Sequence, residues 1–137
     1  VQPQPGGVDA GHLLGQAVGR ALESWDSDAR VLVMGTGGLS HQLDGQRAGF
    51  INKPFDLMCM DALVDDPERL TRLSIHDLVR EAGAQGTELM TWIAARGALT
   101  GTVTKVHASY HIPISNTAGA VMVLENHAQR TPAARAA

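Results

Sequence analysis

The chain has 137 residues, of which 44% are hydrophobic and 18% charged, and its formal net charge is −3. That length corresponds to one domain large enough to bury a real core. The mild negative charge supplies no basic footprint for nucleic acid or an anionic membrane. No apolar run has the length of a membrane span, and a lone cysteine, Cys59, excludes an intrachain disulfide, so a reduced, cytoplasmic setting is expected.

Residues 1–10 open with the Pro/Gly-rich VQPQPGG and read as a linker. From Gly11, the residues Leu14, Ala17, Val18, Ala21, Leu22 and Trp25 fall at helical spacing and predict one apolar stripe. Asp9 is the expected N-cap, Ser24 to Ser27 the expected end, and His12 a surface residue in the first turn. Arg30 to Leu43, RVLVMGTGGLSHQL, then runs four apolar residues, Val31 to Met34, straight into Gly35-Thr36-Gly37-Gly38. This predicts a buried strand entering a tight loop. Ser40 and His41 follow, where α/β sheets place ligand-binding groups, at the carboxyl ends of strands.

Beyond His41, Asp44-Gly45 marks a turn and Pro54 the first turn of a helix whose face includes Met60, Leu63 and Val64. Asp65-Asp66-Pro67 closes it. Ser74-x-x-Asp77 has the form of a capping box ahead of Leu78 and Val79, in a short helix ending at Gly83. Glu88 falls in the first turn of the next helix, whose apolar stripe is Leu89, Met90, Ile93 and Ala94, with Gly97 as its C-cap. A first-turn glutamate complements the helix dipole, and that is its bland reading. Alternation from Lys105 to Ile114 predicts a strand that Pro113 ends or places on an edge. Ser115-Asn116-Thr117 is a polar loop, Ala120 to Leu124 a buried strand, and residues 128–137 a frayed tail. Together these elements predict an α/β domain.

Few chemical constellations survive inspection. Gly35 to Gly38 offers backbone amides for a phosphate but lacks the Lys-Ser/Thr of a P-loop and the full dinucleotide fingerprint. His107 and His111 share a strand face, yet no cysteine pair accompanies them as a zinc site would require. Ser40 beside His41 is a poor nucleophile–base pair, because adjacent loop residues rarely reach one another.

Three longer stretches carry more: GTGGLSHQLDGQRAGFINKPFD, REAGAQGTELMTWIAARGAL and YHIPISNTA. They resemble the beta subunits of protocatechuate 4,5-dioxygenases, class III extradiol ring-cleaving dioxygenases, a family that includes the gallate dioxygenases. The resemblance spans about Gly15 to Glu125. It implies a three-layer α/β domain with a central mixed sheet, and an Fe(II) held by two histidines and one glutamate, the facial triad of non-haem iron oxygenases. The glutamate of the family's motif falls on Glu88, the second-sphere catalytic histidine on His41, and the pair that binds the substrate carboxylate on Ser115 and Asn116. The implied reaction opens the ring of a catecholic acid, protocatechuate or gallate in type, with O2. The implied partners are a small helical alpha subunit and further copies of the same chain.

The two iron-ligating histidines belong to the family's N-terminal half, and nothing in VQPQPGG supplies them. The expectation is therefore that residues 1–137 form the C-terminal part of a single catalytic domain, inactive alone. The alternative is a non-catalytic truncated module or fragment that only binds a partner.

Overall fold

The computed structural model describes residues 7–127. In chain order they form α1 (Val8–Ser24), α2 (Lys53–Asp65), α3 (Pro67–Thr71), α4 (Ile75–Ala82), a 3₁₀ turn (Gln85–Glu88), α5 (Leu89–Gly97), β1 (Val103–His111) and β2 (Gly119–Asn126). The fold is α/β, and its sheet within these residues is the antiparallel ribbon β1–β2. The linker expected over residues 1–10 is helical from Val8, while residues 1–6 and the tail expected over 128–137 lie outside the described residues.

The helices follow their local signals. Asn52 caps α2 by accepting from the Phe55 amide, with Pro54 in the first turn where a missing N–H costs nothing. Ser74 and Asp77 close a full capping box on α4. The guanidinium of Arg47 donates to the Val79 and Arg80 carbonyls near the other end of α4, fastening the segment before α2 to that helix. Leu39, Phe55, Cys59, Leu63, Leu70, Leu78, Leu89, Ile93 and Ala118 belong to one buried cluster at the centre of this assembly. Burial pushes the Cys59 thiol up to about 12, so it behaves as a small apolar core residue.

Helix α1 departs from expectation. Its N-cap is Gly7, with Asp9 inside the first turn. Its buried positions are Val8, His12, Gly15 and Gly19, while Leu14, Val18 and Trp25 of the expected apolar stripe are exposed. The reason is steric. A Cβ on Gly15 would stand 1.9 Å from the Ala94 carbonyl oxygen, and one on Gly19 would stand 2.6 Å from that of Ala98. Small residues four apart let α1 lie backbone to backbone on α5, and this approach selects the glycine face over the apolar one. His12, expected at the surface, is carried into the seam, where burial and then the neighbouring Arg96 lower its pKa.

Two strand expectations also change. Val31 to Met34 is not assigned to a strand and is exposed, because no strand pairs with it among the described residues. The second ribbon strand is half-buried, not buried: Ala120, Met122 and Leu124 turn inward while Val121 and Val123 face out. The first strand ends at His111, two residues before Pro113, and carries an irregularity between Lys105 and His107.

Candidate active site

Three segments meet around His41. Its amide donates to the Ala82 carbonyl at the end of α4 (2.8 Å), and the residue forms an isolated antiparallel bridge with Thr117. Leu39 donates its amide to the Ala118 carbonyl (3.0 Å), and Ala118 returns its own to the Ser40 carbonyl (3.2 Å). Leu39 to His41 is thus a tripeptide held by backbone hydrogen bonds between α4 and the loop joining β1 to β2. This is how the candidate loop Ser115–Asn116 arrives beside a residue more than seventy positions earlier.

The His41 side chain is buried, and its Nδ1 lies 2.9 Å from the Leu39 carbonyl oxygen. A carbonyl only accepts, so Nδ1 carries the proton. The other ring nitrogen, Nε2, faces the Glu88 carboxylate at 4.0 Å. Gly38 leaves room for the ring: a Cβ there would stand 2.9 Å from the His41 Cε1.

Glu88 closes the 3₁₀ turn that leads into α5, and about half of its side chain is exposed. Its Oε2 accepts from the Gly38 amide at 2.7 Å. The glycine loop is further fastened by Thr91, whose hydroxyl donates to the Thr36 carbonyl, and by Trp92, whose indole N–H donates to the Gly37 carbonyl at 3.2 Å. The loop therefore serves as a seat for Glu88 and the His41 ring, and its Gly38 amide is taken by a carboxylate that would repel a phosphate. Ser40 is no nucleophile either. Its hydroxyl donates to Asp56 at 2.6 Å, and it is fully buried.

Ser115 and Asn116 are exposed on the turn after β1, where the Asn116 amide donates to the Pro113 carbonyl and Asn116 adopts φ 51°. Among the described residues neither side chain has a hydrogen-bond partner. The Asn116 side chain lies against Gly49, where an added Cβ would come within 3.3 Å of its Nδ2.

One group escaped the reading of the sequence. Asp56, on the first turn of α2, is buried and accepts from the Ser40 amide, the Ser40 hydroxyl and the Tyr110 hydroxyl. Burial raises its pKa, and the hydrogen bonds from Ser40 and Tyr110 pull the other way. The available signal was its register: Asp56 lies on the same helical stripe as Cys59, Met60 and Leu63, where an acid has no place unless it is satisfied.

The site thus brings together a half-exposed glutamate, a buried histidine ring held by a backbone carbonyl and, on the neighbouring loop, two exposed neutral donors. The residue pattern has a family. A family model described as the catalytic LigB subunit of aromatic ring-opening dioxygenase matches residues 7–121. The chain belongs to that family. A gallate dioxygenase of Pseudomonas putida is 43% identical to it over 122 residues, covering 89% of this chain and 36% of that protein. The chain thus spans about a third of the length of that relative.

The donor set bears on the metal such enzymes would carry. Among the described residues no three His, Cys, Asp or Glu side chains converge, and the site offers Glu88 with His41 alone. Because Nδ1 of that histidine is occupied and the pair lacks a third donor, these residues do not hold a metal by themselves. No helix among them is long and apolar enough to cross a membrane.

Proposed function

We propose that this chain is the part of an Fe(II)-dependent extradiol dioxygenase subunit that carries its proton-transfer group, one iron ligand and its substrate clamp. His41 moves the proton, Glu88 is the ligand, and Ser115 with Asn116 binds the substrate carboxylate. The substrate class is a catecholic acid of the protocatechuate or gallate type, opened with O2 so that both oxygen atoms enter the product. In this reading two further histidines complete the iron site with Glu88. A small helical alpha subunit, self-association and a cytoplasmic location accompany this reading, and the chain alone turns over no substrate.

The observation that carries the proposal is the facing of His41 and Glu88. The ring's Nδ1 is spent on the Leu39 carbonyl, so Nε2 is the one nitrogen left to take a proton from a catechol hydroxyl. The imidazolium so formed would return the proton to an oxygen of the opening ring. Ser115 and Asn116 are neutral donors, so they can bind a carboxylate without adding charge beside that step. Family membership and the gallate dioxygenase relative support the same chemistry.

The test uses a chimaera that joins this chain to the part of the P. putida relative it does not cover. Iron content and oxygen-dependent ring opening are measured for three versions. Glu88→Ala should be iron-poor and inactive. His41→Ala should keep its iron and bind the catecholic acid, with turnover lowered by roughly 10²-fold or more. Iron loss in His41→Ala would make that residue a ligand and overturn the division of roles. Retained iron and turnover in Glu88→Ala would return Glu88 to a helix-dipole role. Steady ring opening by the isolated chain after anaerobic iron loading would overturn the shared metal site.

A further inference from the structure

We propose that Asp56, steadied by Tyr110, is a positioning residue for His41, acting through Ser40. The proposal rests on His41 as the proton-transfer group and adds what keeps its ring in the useful tautomer.

Every polar group of Ser40 is engaged. Its amide donates to Asp56 Oδ1 at 2.8 Å, its hydroxyl donates to Oδ2 at 2.6 Å and accepts from the Asn52 amide at 2.8 Å, and its carbonyl accepts from Ala118. Asp56 therefore grips the middle residue of the Leu39–His41 tripeptide at two points, from the helix behind it. Tyr110 on β1 adds a third donor, at 2.7 Å to Oδ2, so one carboxylate ties together α2, the His41 segment and the ribbon. Fixing the Ser40 peptide fixes the Leu39 carbonyl two residues before His41. That carbonyl is the acceptor that holds the ring proton on Nδ1 and leaves Nε2 open.

The choice of an acid here is informative. Asp56 is buried, and no arginine or lysine pairs with it among the described residues. A buried carboxylate without a cation is costly, and an apolar residue of similar volume would fill the space at lower cost. No apolar residue accepts an amide and two hydroxyls at once. An asparagine of the same size keeps the amide contact through its oxygen, but its NH2 would turn both hydroxyls into acceptors and leave their protons without the carboxylate that now takes them.

The experiment reads the ring directly. The 137-residue chain is labelled with ¹⁵N-histidine, and the His41 tautomer is determined from long-range ¹H–¹⁵N correlations at a pH of about 8.5, above the ordinary imidazole range. His41→Gln assigns the signals. The unaltered chain should show Nδ1–H, and Asp56→Asn should shift the ring toward Nε2–H or a mixture while the ribbon amides keep their shifts. In the chimaera, Asp56→Asn should lower kcat by about 10²-fold with KM and iron content held, the signature of a misplaced group. Ser40→Ala and Tyr110→Phe, each removing one arm, should give smaller shifts in the same direction, and they carry the test if Asp56→Asn fails to fold. An unchanged His41 tautomer in all the folded variants would overturn the proposal. A tautomer shift in a chimaera that opens no ring would uphold the positioning and overturn the dioxygenase reading.

Discussion

Val31 to Met34 and Leu39 to His41 lie a few residues apart, and their fates are opposite. Leu32 is 79% exposed and Met34 73%, while Leu39 is 1% exposed and Ser40 fully buried. The first stretch is the stronger strand former, yet it pairs with nothing among the described residues. The second holds a polar serine and histidine, yet α4, α2 and the β1–β2 loop all close on it. Burial here follows from partners within reach and not from apolar content. A pleated apolar run is stable only against a neighbouring strand, because its amides and carbonyls need the ladder as much as its side chains need cover.

The contrast breaks most readily at Gly83. This residue ends α4 with φ 84°, and a Cβ there would stand 2.4 Å from the His41 carbonyl oxygen. Gly83→Ala combines an unfavourable left-handed backbone with a clash against the segment that carries the site. The two effects together should cost about 3 kcal/mol. Urea denaturation with an unchanged m-value would show it. A loss below about 0.5 kcal/mol would mean that the tripeptide is not held against α4 as described.

The converse change belongs on the apolar run. Leu32→Ser and Met34→Ser remove side chains that touch little, so each should shift stability by no more than about 0.5 kcal/mol. Exposed apolar side chains promote association, and the double variant should reduce the self-association expected of the isolated chain. Light scattering beside denaturation separates the two effects. A loss above about 2 kcal/mol in either single variant would place that side chain in a core and erase the comparison.

What the sequence disclosed follows the same division. Signals that act over a single turn were legible: the capping box at Ser74, Pro54 in the first turn of α2 and the stop before Pro113. The candidate site was legible as residue types, because the motifs around His41, Glu88 and Ser115–Asn116 resemble a family. Its assembly was not, since a carbonyl that fixes a ring proton and a carboxylate that grips a serine are relations between distant segments. The α1 stripe misled for a related reason. Periodicity reports which faces are apolar, while glycine at positions 15 and 19 decided which face could come close enough to pack.

The smallest effect concerns two buried ionisable groups, His12 and Asp56. His12, between α1 and α5, has its pKa lowered from 6.5, first by burial and then by Arg96, with Glu68 acting the other way. The unfolded chain therefore takes up a proton at His12 before the folded chain does. Its contribution to stability is complete above about pH 6.5 and is lost as the pH falls through the lowered folded value. Asp56 has the opposite sign. Its pKa is raised from 3.8, so the folded chain binds the proton first, and its contribution is lost as the pH rises through the raised folded value. One proton limits either slope to about 1.4 kcal/mol per pH unit. Between pH 7 and 5 the His12 effect should appear as falling stability, and His12→Gln should flatten that part of the curve. The measurement is the urea midpoint of both chains at half-unit steps, with the difference between them cancelling the remaining histidines. If the two curves run parallel from pH 7 to 5, His12 is as well hydrated in the folded chain as in the unfolded one, and the close packing of α1 on α5 does not bury it.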